Sequence, residues 1–338
     1  MRTSLSELLN AKRVLLADGA TGTNFFAMGL ESGDPPEFWN EIHPDRVQRL
    51  HQNFVDAGAD IILTNTFGCN RHRLALHNAQ DRVFEIAKRA AELARQVADA
   101  SSRPIVVAGS VGPSGTLFEP MGTLTESEAI DVFVEEIEGL KAGGADVAWI
   151  ETMFAVEEMR AAATSAIKVG MPYTLTASFD TAGRTMMGLQ PADLIDVFST
   201  LPQAPIALGA NCGVGASDLL GSILAMTSRS PDCIHIAKGN CGVPKPKGAE
   251  IVYSGTPALM GDYATLAANS GARIIGGCCG TSPEHLASMR ASLDRYLLGE
   301  TVGARPTLDE VTALLGPLQN AAPGAPEPEA RARRRNRD

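Results

Sequence analysis

The chain has 338 residues, 44% of them hydrophobic, enough for one large domain or two small ones with an ample core. Its formal net charge of -10 is the opposite of the basic face that nucleic acid requires, and no apolar run approaches the ~20 residues of a membrane-spanning helix. No apolar targeting segment follows the opening MRTSLSELLN, and six cysteines are sparse for this length, so the sequence reads as a cytoplasmic protein with reduced thiols rather than a secreted disulfide framework.

In chain order, short apolar runs alternate with longer helical patterns. The runs fall at 14–17, 60–64, 105–108, 147–150, 173–177, 206–208, 233–237 and 272–275. Between them the periodicity predicts helices that include 44–57, 71–100, 126–142, 156–168 and 283–297. Thr125 with Glu128 forms a capping-box signature before the third of these, and Gly58 and Gly143-Gly144 are stop signals. Continuous β-branched runs are what strands buried on both faces look like. Eight strand-helix units predict a (β/α)8 TIM barrel over residues 1–317. An open doubly wound sheet is the alternative, but the first strand runs into DGATGT, which lacks the glycine spacing of a dinucleotide-binding turn. Residues 318–338, proline-rich and then arginine-rich, predict a disordered tail.

A barrel gathers its chemistry at the C-terminal ends of its strands. Those ends read DGATGT (18–23), TNTFG (64–68), GSVGP (109–113), ETM (151–153), SFD (178–180), GANCG (209–213), KGNCG (238–242) and GGCCGT (276–281). Three cysteines belong to them: Cys212 at the sixth, Cys278 and Cys279 at the eighth. Neighbouring cysteines on an extended strand point to opposite faces, so both converge on one atom only where the chain turns sharply, as the flanking glycines permit. Three thiolates facing one mouth suit a catalytic zinc site with an open position. A vicinal disulfide and simple core packing are the competing readings, and the remaining cysteines, Cys69, Cys233 and Cys241, are read as core residues. None of the six histidines has ligand spacing.

The series DGATGT, TNTFG, GSVGP, ET, GANC and GGCCGT, in this order, resembles the homocysteine S-methyltransferase family, across about residues 15–295. That family comprises betaine-homocysteine methyltransferases, S-methylmethionine-dependent enzymes and the N-terminal module of cobalamin-dependent methionine synthase. The resemblance implies a zinc-dependent methyltransferase forming methionine, with Cys212, Cys278 and Cys279 as metal ligands and Glu151 paired with the substrate ammonium. Backbone N–H groups around Gly19 offer a nest for the substrate carboxylate. Asp18 is expected to line the pocket, with Thr66 and Asn240 as further mouth residues.

A chain of this length has no room for folate and corrinoid domains, so a small donor is expected, and the resemblance to single-domain betaine-type enzymes implies betaine. A quaternary ammonium is held by aromatic faces, for which Phe25, Phe26, Trp39, Phe67, Phe118, Phe154 and Phe179 are candidates. The sequence departs from the animal betaine enzymes at Gly68 and Thr152, where those carry tyrosine. TNTFG is closer to the methionine synthase module. A homocysteine module working with a separate corrinoid protein, an S-methylmethionine enzyme, and a zinc or thiol sensor on a barrel scaffold are therefore the alternatives. A homo-oligomer is compatible with all of them.

Overall fold

Eight parallel strands close into a barrel in a computed structural model that describes residues 2–247 and 250–319. They are β1 (Leu15–Leu16), β2 (Ile61–Leu63), β3 (Val106–Val111), β4 (Val147–Met153), β5 (Tyr173–Ala177), β6 (Leu208–Cys212), β7 (His235–Gly239) and, after an antiparallel hairpin of β8 (Pro244–Lys247) and β9 (Glu250–Tyr253), β10 (Ala272–Gly277). Neighbours follow the order β1-β10-β7-β6-β5-β4-β3-β2. The ring is completed where Ala17 bridges Ile61, flanked by bonds from the Asp60 N–H to the Leu16 carbonyl (2.6 Å) and from the Asp18 N–H to the Ile61 carbonyl (3.0 Å).

The two faces of each strand sort by alternation. Leu15, Ile61, Leu63, Val106, Ala108, Val147, Trp149, Ile236 and Ile274 point inward and form one apolar cluster. Their neighbours Leu16, Ile62, Val107, Ala148 and Ile150 pack outward in the larger core shared with the helices. The N-terminal helix Leu5–Ala11, fixed by a capping box between Ser4 and Glu7, drops Leu5, Leu8 and Leu9 into the inner cluster and plugs one end of the barrel. One step further along the strands, the inward positions become polar: Ser110, Glu151 and Lys238, all buried. The barrel thus carries its apolar ballast at one end and its charge at the other.

Several expectations are corrected in detail. The helix predicted over 71–100 is broken into Arg71–Ala75, a short 3-10 turn Gln80–Arg82, and Val83–Ala100. Asn78 takes a left-handed φ of 55°, which no α-helix continues through. The fifth unit has a 3-10 stretch, Pro191–Phe198, in place of an α-helix. The sixth strand lies later than 206–208 and runs to Cys212. Its small residues read as a turn, but a Cβ on Gly209 would sit 2.0 Å from the Ile236 carbonyl oxygen, so that glycine is there for close strand packing. The capping box at Thr125 and Glu128 is present as expected. Of the predicted tail 318–338, residues 320–338 lie outside the described residues. No described helix is long and apolar enough to cross a membrane.

Candidate functional site

The three cysteines named from the sequence meet at the mouth. Their sulfur atoms all lie within 4.8 Å of one another, with Cys212 Sγ and Cys279 Sγ 3.9 Å apart. The local backbone explains how distant and adjacent residues converge. Cys212 closes β6 with a φ of 60°, and Gly213 follows at 78°, so the strand turns abruptly at the sulfur. After β10, Gly280 at 79° and a Thr281 N–H to Cys278 carbonyl bond (3.1 Å) curl the chain so that Cys278 and Cys279 serve one point. The Cys278 N–H to Gly239 carbonyl bond (2.7 Å) and the Cys241 N–H to Cys279 carbonyl bond (2.9 Å) tie this curl to β7.

A residue not singled out in the sequence organises the group. The Asn211 side chain accepts from the Thr152 N–H (2.8 Å) and Thr176 hydroxyl (2.7 Å), donates to the Thr152 hydroxyl (2.7 Å), and reaches Cys278 Sγ at 3.9 Å. Thr152, like Cys212, holds a left-handed φ, 62°. Such strain in non-glycine residues persists only where surroundings impose it, and it gathers at functional sites.

The cysteines open into a cavity of about 620 Å³ whose walls include the 19–23 turn, Glu37, Thr66, Phe67, Arg73, Glu151 and Lys238. Of the aromatic candidates, Phe26 and Phe67 line it; Phe25 and Trp39 pack against each other at a tilt in the core, and Phe179 is buried behind Asn211 and Cys212, outside the cavity. Gly19 is required by close packing, since a Cβ there would lie 2.6 Å from the Thr281 carbonyl oxygen. Asp18 does not line the cavity as expected. It is buried beneath the floor, where it accepts from the Leu63 N–H (2.7 Å) and from Lys238 Nζ (2.8 Å). Thr66 donates to the Ser110 carbonyl (2.6 Å), holding two strand ends together. Asn240, fully buried, donates to the Gly213 carbonyl (2.6 Å), while its Oδ1 has no partner among the described residues. The other cysteines keep their core reading: Cys69 and Cys241 are buried, and Cys233 packs against the core.

The family model for homocysteine S-methyltransferases matches residues 15–293. The chain belongs to the homocysteine S-methyltransferase family. It is 29% identical over 311 residues to a methionine synthase of Mycobacterium leprae (strain TN), and 29% over 309 residues to one of Mycobacterium tuberculosis (strain ATCC 25618 / H37Rv). These alignments cover 87% and 86% of the chain, which spans about a quarter (25%) of each relative's length. The crystal structure of the homocysteine methyltransferase MmuM from Escherichia coli in its metallated form has the same fold, with a TM-score of 0.73, 22% identity, and coverage of 85% of this chain and 99% of that one.

The three sulfurs form a group that could hold a metal ion, and its dimensions can be checked. Tetrahedral zinc with Zn–S bonds of about 2.3 Å places its sulfurs about 3.8 Å apart. The 3.9 Å between Cys212 and Cys279 matches that spacing. Soft sulfur donors suit zinc and exclude magnesium or calcium as preferred guests. Within the cluster, thiols from Cys212 and then Cys278 point at Cys279 and hold it well down, to about 3, while contacts with Cys278 and Cys279 push Cys212 up; Cys278 is also pushed up, to about 12, the lowering contact with Cys212 being outweighed by the contact with Cys279 and burial.

Beneath it sits a small charged layer. Burial pushes Glu151 up to about 7, with Lys238 opposing the rise and the Ser110 hydroxyl donating to it at 2.5 Å. Lys238 is buried with 2% side-chain exposure, and Asp18 and Glu151 together outweigh its burial and raise its affinity for a proton. The family resemblance gave Glu151 a role but none to Lys238. A lone lysine in KGNCG carries no local signal; only the fold brings it to Asp18.

Proposed function

We propose that the protein transfers a methyl group from a small onium donor, betaine, to homocysteine, forming methionine and dimethylglycine at a zinc site of Cys212, Cys278 and Cys279. The observation that carries this reading is one cavity joining three convergent sulfurs to a buried carboxylate, Glu151, on one side and to Phe26, Phe67, Asp34 and Glu37 on another. The first side matches an amino-thiol and the second a cation.

A free alkyl thiol has a pKa of about 8.5, so little of it is thiolate at neutral pH. Cys212, Cys278 and Cys279 would hold the zinc, which would supply the Lewis acidity that lowers the thiol pKa, so that the proton passes to solvent and the sulfur stays nucleophilic. The chain's own residues do the rest. Glu151, as carboxylate, pairs with the homocysteine ammonium, and the N–H groups of the 19–23 turn receive its carboxylate. Phe26 and Phe67 present their faces to the onium methyls, and the acidic side chains add to that attraction. The sulfur then attacks a methyl carbon in line; the new C–S bond forms as the C–N bond breaks, and its electron pair stays on the departing tertiary amine. Positioning two reactants in one walled space is the main catalytic contribution.

A second reading is favoured by the similarity to methionine synthases of which the chain matches about a quarter. In it, the same homocysteine site serves methyl transfer from a separate corrinoid protein. The deciding experiment is methionine formation by the zinc-loaded protein with betaine, S-methylmethionine and methylcobalamin offered separately. Turnover with betaine is the predicted outcome; turnover with methylcobalamin alone would replace the onium reading with the corrinoid one.

A further inference from the structure

We propose that Arg73 is a receptor for a carboxylate on the methyl donor, so that the site selects zwitterionic onium compounds over simple cations. The inference deepens the methyl-transfer reading of the cavity and rests on it.

Arg73 comes from the short helix Arg71–Ala75, whose start is fixed by the Asn70 side chain accepting from the Arg73 N–H at 3.1 Å. Its side chain lines the same cavity as the three cysteines. No hydrogen bond or ion pair of its guanidinium occurs among the described residues, and its Nε is buried without a partner. Two buried carboxylates feel its charge, Glu37 and Glu158, yet neither forms a hydrogen bond or ion pair with it among the described residues, and Glu158 bonds through Oε1 alone, leaving its buried Oε2 without a partner. Glu37 accepts from the Gly68 N–H at 2.7 Å, and Glu158 accepts from the Ser114 N–H (2.8 Å) and hydroxyl (2.6 Å). The Phe67 ring lies under the guanidinium, 5.9 Å from its carbon.

An always-charged planar fork with an aromatic face below it, facing a cavity and lacking an acceptor, matches the geometry of a carboxylate. Leaving such a group unpaired costs more than a neutral donor would, so an incoming carboxylate gains strong, charge-assisted bonds. The nearby Phe26 and Phe67 faces suit methylated cations. A donor with an onium head a short chain from a carboxylate satisfies both at once.

The test uses the full-length, zinc-loaded protein and two probes that share a quaternary head: betaine, which has a carboxylate, and tetramethylammonium, which has none. Homoserine replaces homocysteine, because its hydroxyl is a poor methyl acceptor and binding is then read by calorimetry without turnover. Arg73→Met is predicted to weaken betaine about 10- to 100-fold and to leave tetramethylammonium unchanged. Arg73→Lys, which keeps the charge but not the fork, should fall between, and it carries the comparison if the methionine variant does not fold. Equal losses for both probes would make Arg73 a structural residue, and a loss confined to homoserine would assign it to the amino-acid substrate; either overturns the inference. Parallel turnover assays with betaine and homocysteine separate it from the donor assignment. Arg73-dependent binding without methyl transfer would uphold the receptor and sink the donor, and betaine turnover indifferent to Arg73 would do the reverse.

Discussion

Glu151 shows how burial sets a single residue's chemistry. An exposed glutamate is a carboxylate throughout the neutral range, but this one, surrounded by the barrel, is raised to about 7. If it pairs with the homocysteine ammonium, its anionic form is the binding form. That form is present above about pH 7 and is lost as pH falls through that value. Homocysteine affinity, measured by titration calorimetry between pH 6 and 8.5, should therefore decline on the acid side. Glu151→Gln should weaken binding about 10- to 100-fold and flatten that decline. A wild-type acid limb that persists unchanged in the glutamine variant would remove Glu151 from the ammonium site. The residues beside it differ in how legible they were. The cysteines announced themselves by type, glycine neighbours and position in the strand series. Lys238, Asn211 and Arg73 did not, because the partners of the first two are remote in sequence and the guanidinium of Arg73 has no hydrogen-bond partner among the described residues, and each reads locally as an ordinary strand or helix residue.

Among the elements, strands were easier to read than the segments joining them. Buried parallel strands leave continuous apolar runs, and all eight runs overlap barrel strands in the structure. The connections were harder. Asn78 breaks a long helical pattern through one left-handed residue, and Gly209 looks like a turn while serving close strand packing. Barrel closure between β1 and β2 was invisible in the sequence, since it depends on Asp60. That carboxylate is buried and accepts from the Leu16 N–H (3.0 Å) and Lys12 (2.6 Å), with Arg103 and Arg290 each at 3.5 Å. Removing it leaves several cations and a backbone donor without their acceptor at the seam. Asp60→Ala should cost about 3–5 kcal/mol in urea unfolding. A loss within about 0.5 kcal/mol, the range of ordinary surface changes, would show that the seam holds without it.

At the scale of the whole molecule, the fold separates stability from chemistry. The Leu5–Ala11 helix and the inner apolar layer fill one end of the barrel, and the buried charges and cysteines occupy the other. This division was legible in outline, because polar and glycine residues follow the apolar runs at each predicted strand end. It is also what makes the account testable as a unit, since the three sulfurs, Glu151 and the onium wall must act on one substrate pair. The most direct measurement is X-ray absorption at the zinc edge of the metal-loaded protein before and after homocysteine is added. The account predicts three sulfur neighbours and one lighter atom in the free protein, and four sulfurs once homocysteine is bound. An unchanged sulfur count with homocysteine demonstrably bound would contradict direct activation of the substrate thiol at the Cys212, Cys278 and Cys279 site.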